Sequence, residues 1–122
     1  MSVDPGDLVR HILSVYPDLI NGAIVQSFEP SRIRVVFSDG TYMDIRYNDR
    51  GRYSYHWQRG GGEAWRFDNA PHHPEVPTYP HHLHYGLSGQ VLPSRVKGAS
   101  LCDVDEVMKL VRRVMGCEAR RS

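Results

Sequence analysis

Hydrophobic positions along the chain recur at helical spacing near the N-terminus, at every second residue through the middle, and at helical spacing again near the C-terminus. Leu8, Val9, Ile12, Leu13 and Tyr16 follow Asp4 and Pro5, which read as an N-cap with proline in the first turn, and Pro17 closes this first helix. From Gly22 the period falls to two. AIVQSF and RIRVVF are two strands; in the second, Ile33, Val35 and Phe37 share a face while Arg32 and Arg34 point the other way. Asp39-Gly40 is a hairpin signal, and TYMDIRY after it alternates Met43, Ile45 and Tyr47 with Tyr42, Asp44 and Arg46. After the turn NDRG, Tyr53, Tyr55 and Trp57 fall on one side of a fourth strand and Ser54, His56 and Gln58 on the other.

Gly60 to Gly62 turn the chain into EAWRFD, where Trp65 and Phe67 alternate with Ala64, Arg66 and Asp68. If Trp57 opposes Trp65 and Tyr55 opposes Phe67, all four aromatics share the core face, His56 faces Arg66 and Ser54 faces Asp68. A one-residue slip breaks that apolar face. From Asn69 to Gly98 the chain has no clear period and reads as one long loop rich in histidine and proline, shaped by Pro71, Pro74, Pro77 and Pro80. Ser100 or Asp103 then caps a last helix, whose Val104, Val107, Met108, Val111, Val114 and Met115 form an apolar stripe. The expectation is a single α+β domain over residues 1–122, with an antiparallel sheet of about five strands and both helices on one face.

Composition changes this picture little. A chain of 122 residues, 40% hydrophobic and 24% charged, holds one core and is not wholly disordered. No apolar run reaches the roughly 20 residues of a membrane-spanning helix, and no secretory leader is visible, so a cytoplasmic protein is expected. Cys102 and Cys117 lie about 22 Å apart along the last helix, too far to bridge, and reduced thiols fit that compartment. The net charge of +1 demands no polyanionic partner, but its distribution is uneven. Arg46, Arg50, Arg52, Arg59 and Arg66 lie near the histidines, while Lys109, Arg112, Arg113, Arg120 and Arg121 read as a solvated helix end.

Six of the seven histidines lie between His56 and His84, five of them within thirteen residues, and that clustering needs a cause. One is chemistry on RNA. Cleavage without a metal needs a base for the 2′-hydroxyl proton, an acid for the departing 5′-oxygen and cations for the phosphorane; imidazole supplies the first two and arginine the third. A second is metal binding: His82 and His84 as HxH put two imidazoles on one side of an extended segment, and His72 or His73 with Glu75 completes a set. A third is that histidines and prolines merely pack the loop, which suits any single histidine better than the group, because imidazoles bury little apolar surface. Gly60 to Gly62 lack the lysine and helix of a phosphate-cradling loop.

The runs YSYHWQ, WRFDNAPHHPE and TYPHHLHYG together resemble the TumE-type toxins of toxin–antitoxin loci, in which an arginine and a DNAPHH-like segment precede a PHHxH-like segment. The motif falls on Arg66, Asp68, Asn69, His72, His73, His81, His82 and His84. The resemblance implies a growth-inhibiting toxin acting on RNA, encoded beside an antitoxin with a helix-turn-helix domain. Joined to the chemistry above, it makes His72, His73, His81, His82, Arg66 and Asp68 the catalytic candidates of an endoribonuclease, with His56, His84, Arg46 and Asn69 binding substrate. No cofactor is then required. The alternative is a metal- or nucleic-acid-binding module without catalysis, holding a divalent transition metal at His72, His82 and His84. Nothing in the sequence sets the oligomeric state.

Overall fold

Asp4 starts the first helix as expected: its carboxylate accepts from the Gly6 N–H at 2.9 Å, and Pro5 occupies the first turn, where a missing N–H costs nothing. In the computed structural model, which describes residues 3–20, 25–28 and 32–121 and the side chains of these except 25–28 and 117–121, this helix is α1 (Pro5–Val15). Pro17 both ends it and opens a single further turn, α2 (Pro17–Ile20), because proline is tolerated at the first position of a helix. The strands β1 (Val25–Phe28), β2 (Arg32–Val36), β3 (Tyr42–Tyr47), β4 (Tyr53–Gly60) and β5 (Glu63–Asp68) follow. Ala23 and Ile24, assigned to the first strand from their pattern, lie outside the described residues. Ser100 caps α3 (Leu101–Arg121): its hydroxyl accepts from the Asp103 N–H at 3.1 Å while the Asp103 carboxylate accepts from the Ser100 N–H at 3.2 Å, a reciprocal capping box.

The sheet is an antiparallel meander in chain order, with seven strands among the described residues where about five were expected. The extra two are β6 (His82–Tyr85) and β7 (Gln90–Pro93), inside the segment read as loop. Their pattern is faint because only Leu83 of β6 turns an aliphatic side chain into the core. What makes β6 a strand is the free hydrogen-bonding edge of β5, along which Asp68, Phe67 and Arg66 pair with His82, Leu83 and His84. The β4–β5 register is the one the aromatics require, with Trp57 opposite Trp65, Tyr55 opposite Phe67, His56 opposite Arg66 and Ser54 opposite Asp68. Gly60, Gly61 and Gly62 all have positive φ and make the turn between these strands.

Inward residues form continuous rows. Ile33, Ile45, Tyr55, Phe67 and Leu83 are successive cross-strand partners from β2 to β6, and Val35, Met43, Trp57 and Trp65 make the next row. Leu8 and Ile12 of α1 and Val104, Val107, Met108 and Val111 of α3 belong to the same buried cluster, so both helices cover this face. Three of the buried aromatics satisfy their polar tips, Tyr55 donating to the Gly98 carbonyl at 2.7 Å, Tyr53 to that of Val96 at 2.8 Å and the Trp57 indole to Thr41 Oγ1 at 2.8 Å, whereas the buried Trp65 indole N–H has no hydrogen-bond partner among the described residues. Among the described residues no helix is long and apolar enough to cross a membrane.

Leu83 is the core anchor of the strand that carries His82 and His84. Leu83→Ala is expected to lower unfolding free energy by about 2–5 kcal/mol, whereas Leu87→Ala, at a side chain 71% exposed, changes it by less than about 0.5 kcal/mol. Urea unfolding of the two variants checks this.

Candidate active site on the open sheet face

The register that buries the aromatics also sorts the outward side chains into rows. Arg32, Arg46, Ser54, Asp68 and His82 are successive partners, and beside them run Arg34, Asp44, His56, Arg66 and His84. Neither helix covers this face. The chain from Asn69 to His81 folds back toward it through tight turns, with Val76 buried, Thr78 Oγ1 donating to the His81 carbonyl at 2.6 Å, and the Ser94 N–H donating to the same hydroxyl at 3.0 Å. The loop thus meets the hairpin and delivers His73 onto β6. The His73 ring lies 4.8 Å from that of His82 and 5.3 Å from that of His84, and His82 and His84 are 4.9 Å apart.

Asp68 stands behind these rings and is almost fully buried. Its Oδ1 accepts from the Ala70 N–H at 2.9 Å and lies 3.1 Å from His82 Nε2, while Oδ2 accepts from Arg66 Nε at 3.0 Å and lies 3.8 Å from His84 Nε2. His82 is 1% exposed, and its Nδ1 donates to the Pro80 carbonyl at 2.9 Å, so both its nitrogens face protein oxygens. His73 and His84 are different: their side chains are 28% and 34% exposed and open on a cavity of about 620 Å³ that Arg52, His56, Arg66 and His72 also line. An adjoining cleft of about 490 Å³, lined by Arg32, Arg46, Arg52, Ser54, Arg66 and Asp68, continues the site across the sheet.

Burial is the main cause that holds the His84 imidazole below the ordinary histidine range, with His82 adding to it. His56 is lowered by burial and then by the Arg66 guanidinium opposite it. The Asp44 carboxyl is held below its ordinary value by the Arg34 guanidinium, which donates to both its oxygens at 2.8 and 3.0 Å, against burial, which pushes it up.

The candidate residues read from the sequence therefore separate. Arg66, Asp68, His73, His82 and His84 come together; His56 and Arg46 lie on the same face, His56 between Asp44 and Arg66 and Arg46 in the arginine cleft. His72 is exposed at the cavity rim, so the imidazole that joins His82 and His84 is His73, in place of the His72 of the proposed metal set. His81 stacks on the Tyr53 ring, with centroids 5.8 Å apart and Nδ1 2.8 Å from the Tyr53 hydroxyl, and it stands apart from the cluster; its imidazole is lowered by burial and by Lys97. Adjacent residues at the start of a strand point in opposite directions, and here His82 takes the open face. Asn69 is a brace: its amide accepts from the Tyr53 N–H at 3.2 Å and donates to the Gly51 carbonyl at 2.8 Å. Arg32 and Arg52 were not among the candidates. For Arg32 the only signal was its outward phase in β2, which aligns with Arg46 once the register is known.

Three converging imidazoles, a buried carboxylate and an arginine on a charged, uncovered sheet face make the candidate site of a small α+β protein, built by the sheet and one folded-back loop. The family model described as Toxin TumE matches residues 12–116, and the chain belongs to the TumE toxin family. It is the toxin component of a toxin–antitoxin system, with a cognate antitoxin as partner. No curated protein and no solved structure matches it.

The Arg34 and Asp44 pair on this face gives a pH test of stability. Because the folded-state pKa of Asp44 lies below its ordinary 3.8, its contribution is fully present above that value and is lost as pH falls through the lower folded value. Asp44→Asn is expected to cost about 1–2 kcal/mol near neutral pH, with the deficit shrinking toward zero well below the ordinary value. Urea midpoints at neutral and strongly acidic pH measure both.

Proposed function

We propose that the chain is an endoribonuclease that cleaves RNA by histidine acid–base chemistry without a metal, and that this is how the toxin inhibits growth. The observation that carries the reading is the convergence of His73 and His84, both open to solvent, with Arg66 and the Asp68–His82 pair beside an arginine-lined cleft. One of the two open imidazoles takes the proton of a 2′-hydroxyl. The 2′-oxygen attacks the adjacent phosphorus, and Arg66 donates to the phosphorane oxygens as negative charge builds on them. The other imidazole protonates the departing 5′-oxygen, leaving a 2′,3′-cyclic phosphate and a 5′-hydroxyl.

Asp68 and His82 position this machinery and do not touch the reacting atoms. Asp68 orients Arg66 through Oδ2, and His82, anchored to the Pro80 carbonyl, fixes the carboxylate from the other side. His56 lies across from Arg66 and flanks the phosphate site. Arg32, Arg46 and Arg52 hold neighbouring phosphates along the cleft, the arrangement an unpaired strand needs for its backbone. The antitoxin in this reading is a helix-turn-helix protein, and the toxin acts on RNA in the cytoplasm.

Purified protein incubated with RNA in the presence of a chelator tests the reading. Fragments with 2′,3′-cyclic phosphate ends are expected, and His73→Ala, His84→Ala and Arg66→Ala each lower the rate by about 10²-fold or more. The same variants relieve growth inhibition yet stay folded and antitoxin-bound. His81→Phe, at a ring stacked on Tyr53, retains cleavage within a few-fold. Growth inhibition without RNA fragments points instead to a binding module, and full activity of both His73→Ala and His84→Ala removes this site from the chemistry.

A further inference from the structure

We propose that His73, His82 and His84 form a binding site for one transition-metal ion of the zinc(II) class, with the Asp68 carboxylate beside it. The three imidazoles each offer a nitrogen, and these donor atoms lie within 4.8 Å of one another. A four-coordinate ion with nitrogens about 2.0–2.1 Å away separates its donors by roughly 3.3 Å. The Asp68 carboxylate stands beside the set, Oδ1 3.1 Å from His82 Nε2 and Oδ2 3.8 Å from His84 Nε2, with its oxygens also accepting from the Ala70 N–H and Arg66 Nε. Small rotations of the half-exposed His73 and His84 bring the nitrogens to that spacing, while His82 stays fixed by burial.

The nitrogens that point away from the cluster are arranged as a metal site requires. His82 Nδ1 donates to the Pro80 carbonyl, and His73 Nδ1 lies 3.2 Å from Glu75 Oε2. The Pro80 carbonyl and the Glu75 carboxylate only accept, so each contact puts a proton on Nδ1 and turns Nε2 toward the cluster, where a bound ion would displace the proton that His82 Nε2 shares with Asp68. The backbone holds the set in advance. His82 and His84 share a face of β6, Asp68 is the cross-strand partner of His82, and His73 arrives from the loop above. Three imidazoles select zinc, copper or nickel over magnesium or calcium, which take oxygen ligands.

A bound ion occupies the imidazole lone pairs that proton transfer uses. Metal and RNA cleavage therefore exclude each other; this consequence rests on the acid–base reading, whereas metal binding does not. The untagged full chain, freed of metal, is titrated with zinc(II) by calorimetry and with cobalt(II) by visible absorption, and RNA cleavage is measured alongside. One ion per chain is expected, with tetrahedral cobalt bands and affinity weakened by at least about 10- to 100-fold in His73→Ala and in His84→Ala, each shown to be folded by circular dichroism. Absence of stoichiometric binding overturns the proposal, as does affinity unchanged in the double variant. If zinc binds and cleavage stops, the site and the acid–base reading both stand. If zinc binds and cleavage continues, or cleavage needs zinc, the site stands and the metal-free chemistry falls.

Discussion

The pairing of β4 with β5 decides what every other part of the molecule can do. Trp57 and Tyr55 on one strand oppose Trp65 and Phe67 on the other, and all four are buried beneath the helices. Strand side chains alternate with a period of two, so a slip of one residue would turn these aromatics to water and bring His56, Arg66 and Asp68 into the core. Losing four buried aromatics and burying two charged groups are both prohibitive, and the register is held from both faces. Its extension through Phe67 and Leu83 fixes β6 in the same phase, and His82 and His84 inherit their direction from it. The geometry of the histidine cluster is thus a by-product of the core.

The loop between β5 and β6 adds what the sheet cannot supply. A strand pair places His82 and His84 beside Asp68, but a third imidazole must come from above the face. The loop carries it there on fixed supports: Val76 is buried, and Thr78 links the chain at His81 to the backbone at Ser94 through one hydroxyl. Asn69 ties the end of β5 to the preceding turn, so the loop departs from a braced point. These contacts spread the histidines over three environments. His82 is immobilised, His73 and His84 face solvent, and His81 packs against Tyr53 on the far side of the alternation.

The hairpin was legible in the sequence because aromatics mark both its strands, leaving one alignment that buries all of them. His56, Arg66, Ser54 and Asp68 followed from that alignment without further information. The strand β6 was not legible, since HLHY offers one aliphatic residue and two polar ones, too short a run to show a period beside four prolines. For the same reason the phase of His81 against His82 could not be read, and the two were grouped although they point apart. His72 and His73 differ by one position in a turn, where no periodicity exists to choose between them. Arg32 needed the register of the β2–β3 hairpin, whose turn is marked by Asp39-Gly40 but whose pairing of Arg32 with Arg46 is not. The resemblance to TumE-type toxins gave Asn69 and His81 the same standing as Arg66, Asp68, His73, His82 and His84, and the fold places those two outside the cluster.

Charge sets the open face apart from the rest of the molecule. Among the described residues it presents Arg32, Arg34, Arg46, Arg52 and Arg66 against the carboxylates Asp44 and Asp68, in a chain whose formal net charge is only +1. The surplus of cation is therefore local, and the rest of the molecule balances it. Asp44 is engaged by Arg34, and Asp68 is buried and engaged by Arg66, so neither carboxylate projects its charge freely into the cleft. In the endoribonuclease reading proposed above, a concave surface lined in this way draws an anionic chain along the cleft toward the His73 and His84 rings. Phosphate contacts of this kind fix the position of a strand without reading its bases. In the proposed reading, then, the arginines set where a backbone lies on the sheet and the imidazoles act on it there.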